Sequence, residues 1–185
     1  MMSLDKELAR RLTELRRSRN WPLEELAERT GISRATLSRI ERGDTSPTAS
    51  VLGKLAAAFG LSMAELFGPA SSTVERLVTR DAQAIWTDPE TGYTRRTLTP
   101  AASGYRGAMI EGYIPPGATV AYAAPPVPDL EHQLVLLEGS LRLVIGLDTY
   151  DLDPGDALRF RLNSPNSYHA SGKVPARYFL TVITP

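Results

Sequence analysis

At 185 residues the chain is long enough for one large domain or two small ones, and without cysteine it has no disulfide, no thiolate metal site and no cysteine nucleophile. With 42% hydrophobic and 23% charged residues, it has the composition of a globular protein rather than a disordered one. Lys and Arg balance Asp and Glu at 21 each, and residues 1–70 hold 11 basic against 9 acidic side chains, which excludes a strongly basic body. No stretch approaches the roughly 18 apolar residues of a membrane span, and no apolar run follows the first basic residues as in a signal peptide. The expectation is a cytoplasmic protein with no membrane partner.

The first 67 residues read as helices. Leu8, Leu12 and Leu15 recur at spacings of four and three within Asp5–Arg19, one face of a first helix. Pro22 suits the first turn of a second helix that carries Leu23, Leu26 and Ala27 and stops at Gly31. Ser33 is an N-cap for a third helix running to about Arg42, with Gly43 ending it. A fourth begins near Pro47-Thr48 and carries Val51, Leu52, Leu55, Ala56 and Phe59, and a short fifth runs from Ser62 to Phe67. Residues 68–75, small and polar, read as a linker between a domain at 1–67 and one at 76–185.

Ala27, Gly31, Leu37 and Ile40 are the right residue types at the right offsets for two short helices crossing steeply about a tight turn. The run Thr30-Gly31-Ile32-Ser33-Arg34-Ala35-Thr36-Leu37-Ser38-Arg39-Ile40-Glu41-Arg42-Gly43, followed by Ser46-Pro47-Thr48, resembles the lambda-repressor-like, xenobiotic-response-element (XRE) family of helix-turn-helix regulators. The resemblance covers roughly residues 5–67 and implies that Ser33 to Arg42 form a recognition helix in the DNA major groove. It then places Ser33, Arg34 and Thr36 at base edges or nearby phosphates, Ser38 and Arg39 one turn further along, and Arg42 and Thr45 at phosphates. Glu41 is expected to pair with an arginine of the first helix. Regulators of this type often carry Gln early in the second helix; Pro22-Leu23 stands there instead, so that contact is missing.

Beyond the linker the pattern changes to short β-rich runs at Gln83–Thr87, Thr94–Leu98, Ala108–Ile114, Gln133–Leu137, Leu141–Ile145, Ala157–Leu162 and Tyr178–Ile183, separated by Pro, Gly and Asn turns. The segments Leu136–Leu143 and Tyr150–Phe160, with their turns at Glu138-Gly139 and Pro154-Gly155, resemble the cupin domain. The implied fold class is α plus β in two domains: a five-helix head and an all-β cupin (double-stranded β-helix) barrel. Metal-binding cupins place two His and a Glu around the first motif and a His in the second. Here His132 occupies the usual Glu position, Pro125–Pro128 supplies no His, and Asn166 replaces the last one, with His169 three residues out of register. Glu131 and His132 are adjacent, so on a strand they point to opposite faces. The reading is a pocket without metal or other cofactor, with His132, Asn166, Tyr168, Tyr113 and Arg159 as candidate anchors for a small effector.

Together these expectations describe a homodimeric transcriptional regulator, on family grounds a repressor, that binds a palindromic double-stranded DNA operator and is modulated by a small molecule. Two rivals stay open: a metal-dependent cupin enzyme carrying a DNA-binding head, and a barrel that serves only to dimerise the chain.

Overall fold

The computed structural model describes residues 4–67 and 76–185. The helices are α1 (Leu4–Ser18), α2 (Leu23–Thr30), α3 (Arg34–Arg42), α4 (Ala49–Phe59) and α5 (Met63–Leu66). Their boundaries follow from local chemistry. Gly31 ends α2 in the left-handed region at φ 65°, a conformation a side chain resists, and its N–H donates to the Ala27 carbonyl. Ser33 then starts α3 by accepting the Thr36 N–H at 3.1 Å. Thr48 caps α4 in the same way, and Ser62 with Glu65 forms a reciprocal capping box on α5.

Leu8, Leu12, Leu15, Leu26, Leu37, Ile40, Leu52, Leu55 and Phe59 fill the core of this head. Outside that core, Arg16 of α1 makes a bidentate pair with Glu41 of α3, with both nitrogen–oxygen distances 2.7 Å, and also donates to the Trp21 carbonyl at 2.9 Å. The expected pairing of Glu41 with the first helix is therefore present. It fixes the C-terminal half of α3 against α1 from a site both partners largely bury.

Ten strands follow a short 3-10 turn at Arg80–Ala82: β1 (Ile85–Thr87), β2 (Thr94–Thr99), β3 (Gly107–Ile114), β4 (Thr119–Tyr122), β5 (Leu130–Glu138), β6 (Leu141–Ile145), β7 (Asp148–Leu152), β8 (Ala157–Leu162), β9 (Asn166–Ala170) and β10 (Ala176–Ile183). They form two antiparallel sheets, β1-β2-β3-β10-β5-β8 and β4-β9-β6-β7. The longest pairing sets Ala176 opposite Ile114 and Ile183 opposite Gly107, so Ile110, Ile114, Tyr178, Leu180 and Val182 all enter the β core, where Leu134, Leu136, Leu143 and Leu162 also lie. The turn between β5 and β6 requires Gly139: φ is 81°, and a Cβ there would lie 2.2 Å from the Pro175 carbonyl oxygen. The expected strand at Gln83–Thr87 begins only at Ile85, because the 3-10 turn precedes it, and β4, β7 and β9 are additional to the strands expected from sequence. Residues 68–75, expected as the linker, lie outside the described residues.

The head and the β domain touch through specific groups. Trp86 Nε1 donates to Ser46 Oγ at 3.3 Å, and the Phe67 and Trp86 rings meet at 5.8 Å. Asp88, 2% exposed, accepts the Ala49 N–H at the start of α4 at 3.2 Å and the Glu90 N–H at 2.9 Å. A carboxylate from the β domain thus caps a helix of the head, where an unpaired N–H and the helix dipole both favour negative charge. Tyr122 at the end of β4 packs on Gly53 so closely that a Cβ there would lie 2.8 Å from its ring.

Candidate DNA-reading surface and barrel cavity

Leu37 and Ile40 turn one face of α3 into the core, and this leaves Arg34, Ala35, Arg39 and Arg42 exposed on the other, with Thr45 exposed just beyond. Ser33 and Thr36 are partly committed to the helix start, their hydroxyls 2.8 Å apart. Arg42 is braced by Asp44 at 2.7 Å and by the Ser38 hydroxyl. Arg34 pairs with Glu24 of α2 at 2.5 Å, an exposed ion pair that contributes little and can be exchanged for a phosphate or base. Arg39 has no ion-pair partner among the described residues. The seven positions expected to meet DNA therefore occupy α3 and its two flanks.

The second feature is a cavity at the end of the β domain that faces the head. Its volume is about 60 Å³. At roughly 10–15 Å³ per water, that is space for a handful of non-hydrogen atoms. Its apolar walls include Ile110, Val120, Leu130, Leu162 and Leu180, and the head contributes Gly53 and Met63. Its polar groups are Tyr93, Arg95, Tyr122, His132, Asn166, Tyr168 and Tyr178. Tyr168 and Tyr178 stack at 6.0 Å, with the Tyr168 hydroxyl 3.5 Å from His132 Nδ1 and the Tyr178 hydroxyl 3.4 Å from that of Tyr93.

Burial, seconded by the charge of Arg95, pulls the His132 pKa down to about 4, so the imidazole is neutral near pH 7. Burial also pushes the hydroxyls of Tyr93, Tyr122, Tyr168 and Tyr178 upward, so all four remain protonated donors.

Of the five expected anchors, the cavity brings together His132, Asn166 and Tyr168. Tyr113 and Arg159 are corrected: both are exposed and neither lines the cavity. The reason is strand parity. Ile110, Gly112 and Ile114 point inward on β3, and Leu158, Phe160 and Leu162 do so on β8, so the residues between them face out. His169 is likewise on the outer side of β9, its Nδ1 2.9 Å from the Thr119 hydroxyl. Tyr93, Arg95, Tyr122 and Tyr178 were not anticipated. The available signal was the alternate spacing of Tyr93, just before β2, with Arg95 on β2.

Cupins often hold a metal, and the donors here do not fit one. His132 is the sole carboxylate-or-imidazole ligand on the cavity wall, no group of three His, Cys, Asp or Glu side chains converges among the described residues, and the Arg95 guanidinium opposes a second cation.

The two features define a DNA-binding regulator whose helix-turn-helix head is joined to a cupin-like β barrel. The helix-turn-helix family model (HTH_3) matches residues 12–66. The HTH-type transcriptional regulator SutR of Escherichia coli (strain K12) is 26% identical over 179 residues, 94% of this chain and 92% of that protein. An uncharacterized HTH-type transcriptional regulator, y4dJ of Sinorhizobium fredii (strain NBRC 101917 / NGR234), is 38% identical over 72 residues, 39% of this chain and 94% of that protein. The chain belongs to the HTH-type transcriptional regulators of the XRE type.

Solved structures extend the likeness of fold to the whole chain. An HTH_3 family transcriptional regulator from Vibrio cholerae superposes with a TM-score of 0.77 at 24% identity, covering 98% of this chain and 97% of that one. Hydroxypropylphosphonic acid epoxidase from S. wedmorenis superposes with a TM-score of 0.51 at 17% identity, covering 97% and 98%. Among the described residues no helix is long and apolar enough to cross a membrane.

Proposed function

We propose that this regulator acts as a homodimeric repressor: two copies of α3 read the half-sites of a palindromic operator, and a small molecule in the barrel cavity modulates binding. Ser33, Arg34, Thr36, Ser38, Arg39, Arg42 and Thr45 form the DNA contact set. His132, Asn166 and Tyr168, together with Arg95 and the other tyrosines, form the effector site. One observation carries the modulation: the cavity wall is shared between the two parts of the chain, with Gly53 of α4 and Met63 of α5 completing a pocket otherwise made by the barrel. A ligand that displaces Tyr122 presses on α4 directly. It changes DNA affinity to the extent that it binds the two placements of the head unequally.

Fold likeness to an epoxidase favours a second reading, in which the cavity is an active site. That reading needs a metal or an acid–base pair, and the groups on the cavity wall are neutral phenols, a neutral imidazole, an amide and a guanidinium.

Selection from a random DNA pool with the full chain tests the proposal. The expected product is an inverted repeat with half-sites about one helical turn, roughly 34 Å, apart, bound by two chains in native mass spectrometry. Recovery of no preferred site, or of a single half-site bound by one chain, would overturn it.

A further inference from the structure

The cavity's polar groups share a property that its shape alone does not show. Each phenol, the Arg95 guanidinium and the Asn166 amide can donate hydrogen bonds, and no Asp or Glu lines the wall. Arg95 is only 4% exposed. Its Nη1 reaches Thr97 Oγ1 at 3.4 Å, its Cζ lies 4.9 Å from the Phe67 ring centroid, and its Nη2 is buried with no partner. The nearby carboxylate, Asp88, is engaged with the Ala49 and Glu90 N–H groups and makes no ion pair with Arg95. A buried guanidinium without a carboxylate is an expensive arrangement unless something anionic completes it.

We propose that the effector is a small organic monoanion, a short carboxylate whose charged end pairs with Arg95 and whose apolar end lies against Ile110, Val120 and Leu180. This rests on the reading of the cavity as an effector site and adds the ligand's charge and size. The small cavity volume favours a short chain over a large aromatic acid. The apolar wall distinguishes a carboxylate with a carbon chain from an inorganic oxyanion, which would leave that wall without contacts. Arg95 also touches Phe67 at the end of α5, and Tyr122 touches Gly53 of α4, so the anchor and its neighbour both meet the head.

The test is saturation-transfer NMR and thermal shift on the full-length protein, with propionate, pyruvate, propionamide, propylamine and sulfate as probes. Propionate or pyruvate is expected to bind and raise the melting temperature, while propionamide, propylamine and sulfate are not. Arg95→Met is expected to weaken carboxylate binding roughly 10- to 100-fold, as loss of a charged hydrogen-bond partner implies. Should that variant misfold, the wild-type preference for propionate over propionamide still decides the matter. Preferential binding of the amide, the amine or sulfate would overturn the carboxylate assignment and leave the effector site standing. If no probe binds, and Leu180→Phe fills the cavity without altering affinity for the selected DNA, the effector site itself fails and the assignment with it.

Discussion

Replacing Asp88 by alanine removes both hydrogen bonds its carboxylate accepts, one from Ala49 at the start of α4 and one from Glu90 in its own turn. Hydrogen bonds to a charged group contribute roughly 1.5–3 kcal/mol each, and the two N–H groups lose their partner in a site where Asp88 is 2% exposed. Against this, the variant no longer has to desolvate a carboxylate, so a net loss of about 3 kcal/mol is expected. For a chain of this size each kcal/mol lowers the melting temperature by roughly 2–4 °C, or about 6–12 °C in all. Circular dichroism melting and urea titration measure it. The wild type should unfold in one transition, the head and barrel being fastened together, and Asp88→Ala should separate it into two. Asp88→Asn keeps one acceptor oxygen and should fall between. A melting temperature for Asp88→Ala within about 2 °C of wild type, in a single transition, would refute the view that this carboxylate ties the barrel to α4.

Three further outcomes follow from the same geometry. Gly112→Ala places a Cβ 2.2 Å from Tyr178 Cζ; overpacking should destabilise the barrel by about 1–3 kcal/mol in urea titration, and unchanged stability would mean the ring is free to move. Glu41→Gln leaves Arg16 half paired beneath α3, which should cost about 2 kcal/mol in the same assay; a loss under about 0.5 kcal/mol would assign the pair no structural weight. His132 is neutral in the folded protein down to about pH 4, whereas the unfolded chain takes up its proton near pH 6.5. The unfolded state therefore binds more protons between these values, and stability should fall by up to about 3 kcal/mol as pH drops from 6.5 to 4, with no contribution above 6.5. His132→Gln should flatten that slope, and an identical pH profile for the variant would contradict the burial argument.

The head was legible because helix caps and apolar spacing are local: Gly31 ends α2, and Ser33 and Gly43 delimit α3, in the sequence as they do in the structure. The barrel was legible only in part. The strand β7 is an exposed edge, so Asp148–Tyr150 present no apolar face to recognise, and β4 is four residues long. In β9 the inward positions are Asn166, Tyr168 and Ala170, and two of these three are polar, so the alternation did not register as a buried strand. The cavity shows the same limit. Arg95 sits beside Arg96 and reads as surface charge; only the packing of β2 against β3 and the head makes one of them interior and leaves the other to pair with Glu111. Tyr113 and Arg159 were polar residues near the right turns, and strand parity, unknown before the register, turned them outward.

The central claim is that α3 reads DNA, and fluorescence anisotropy with the selected operator tests it most directly. Arg34→Ala and Arg39→Ala, each folded as wild type by circular dichroism, should weaken specific binding by ~1–3 kcal/mol and relax the preference for the operator over scrambled DNA. Wild-type affinity and wild-type preference in both variants would contradict the account.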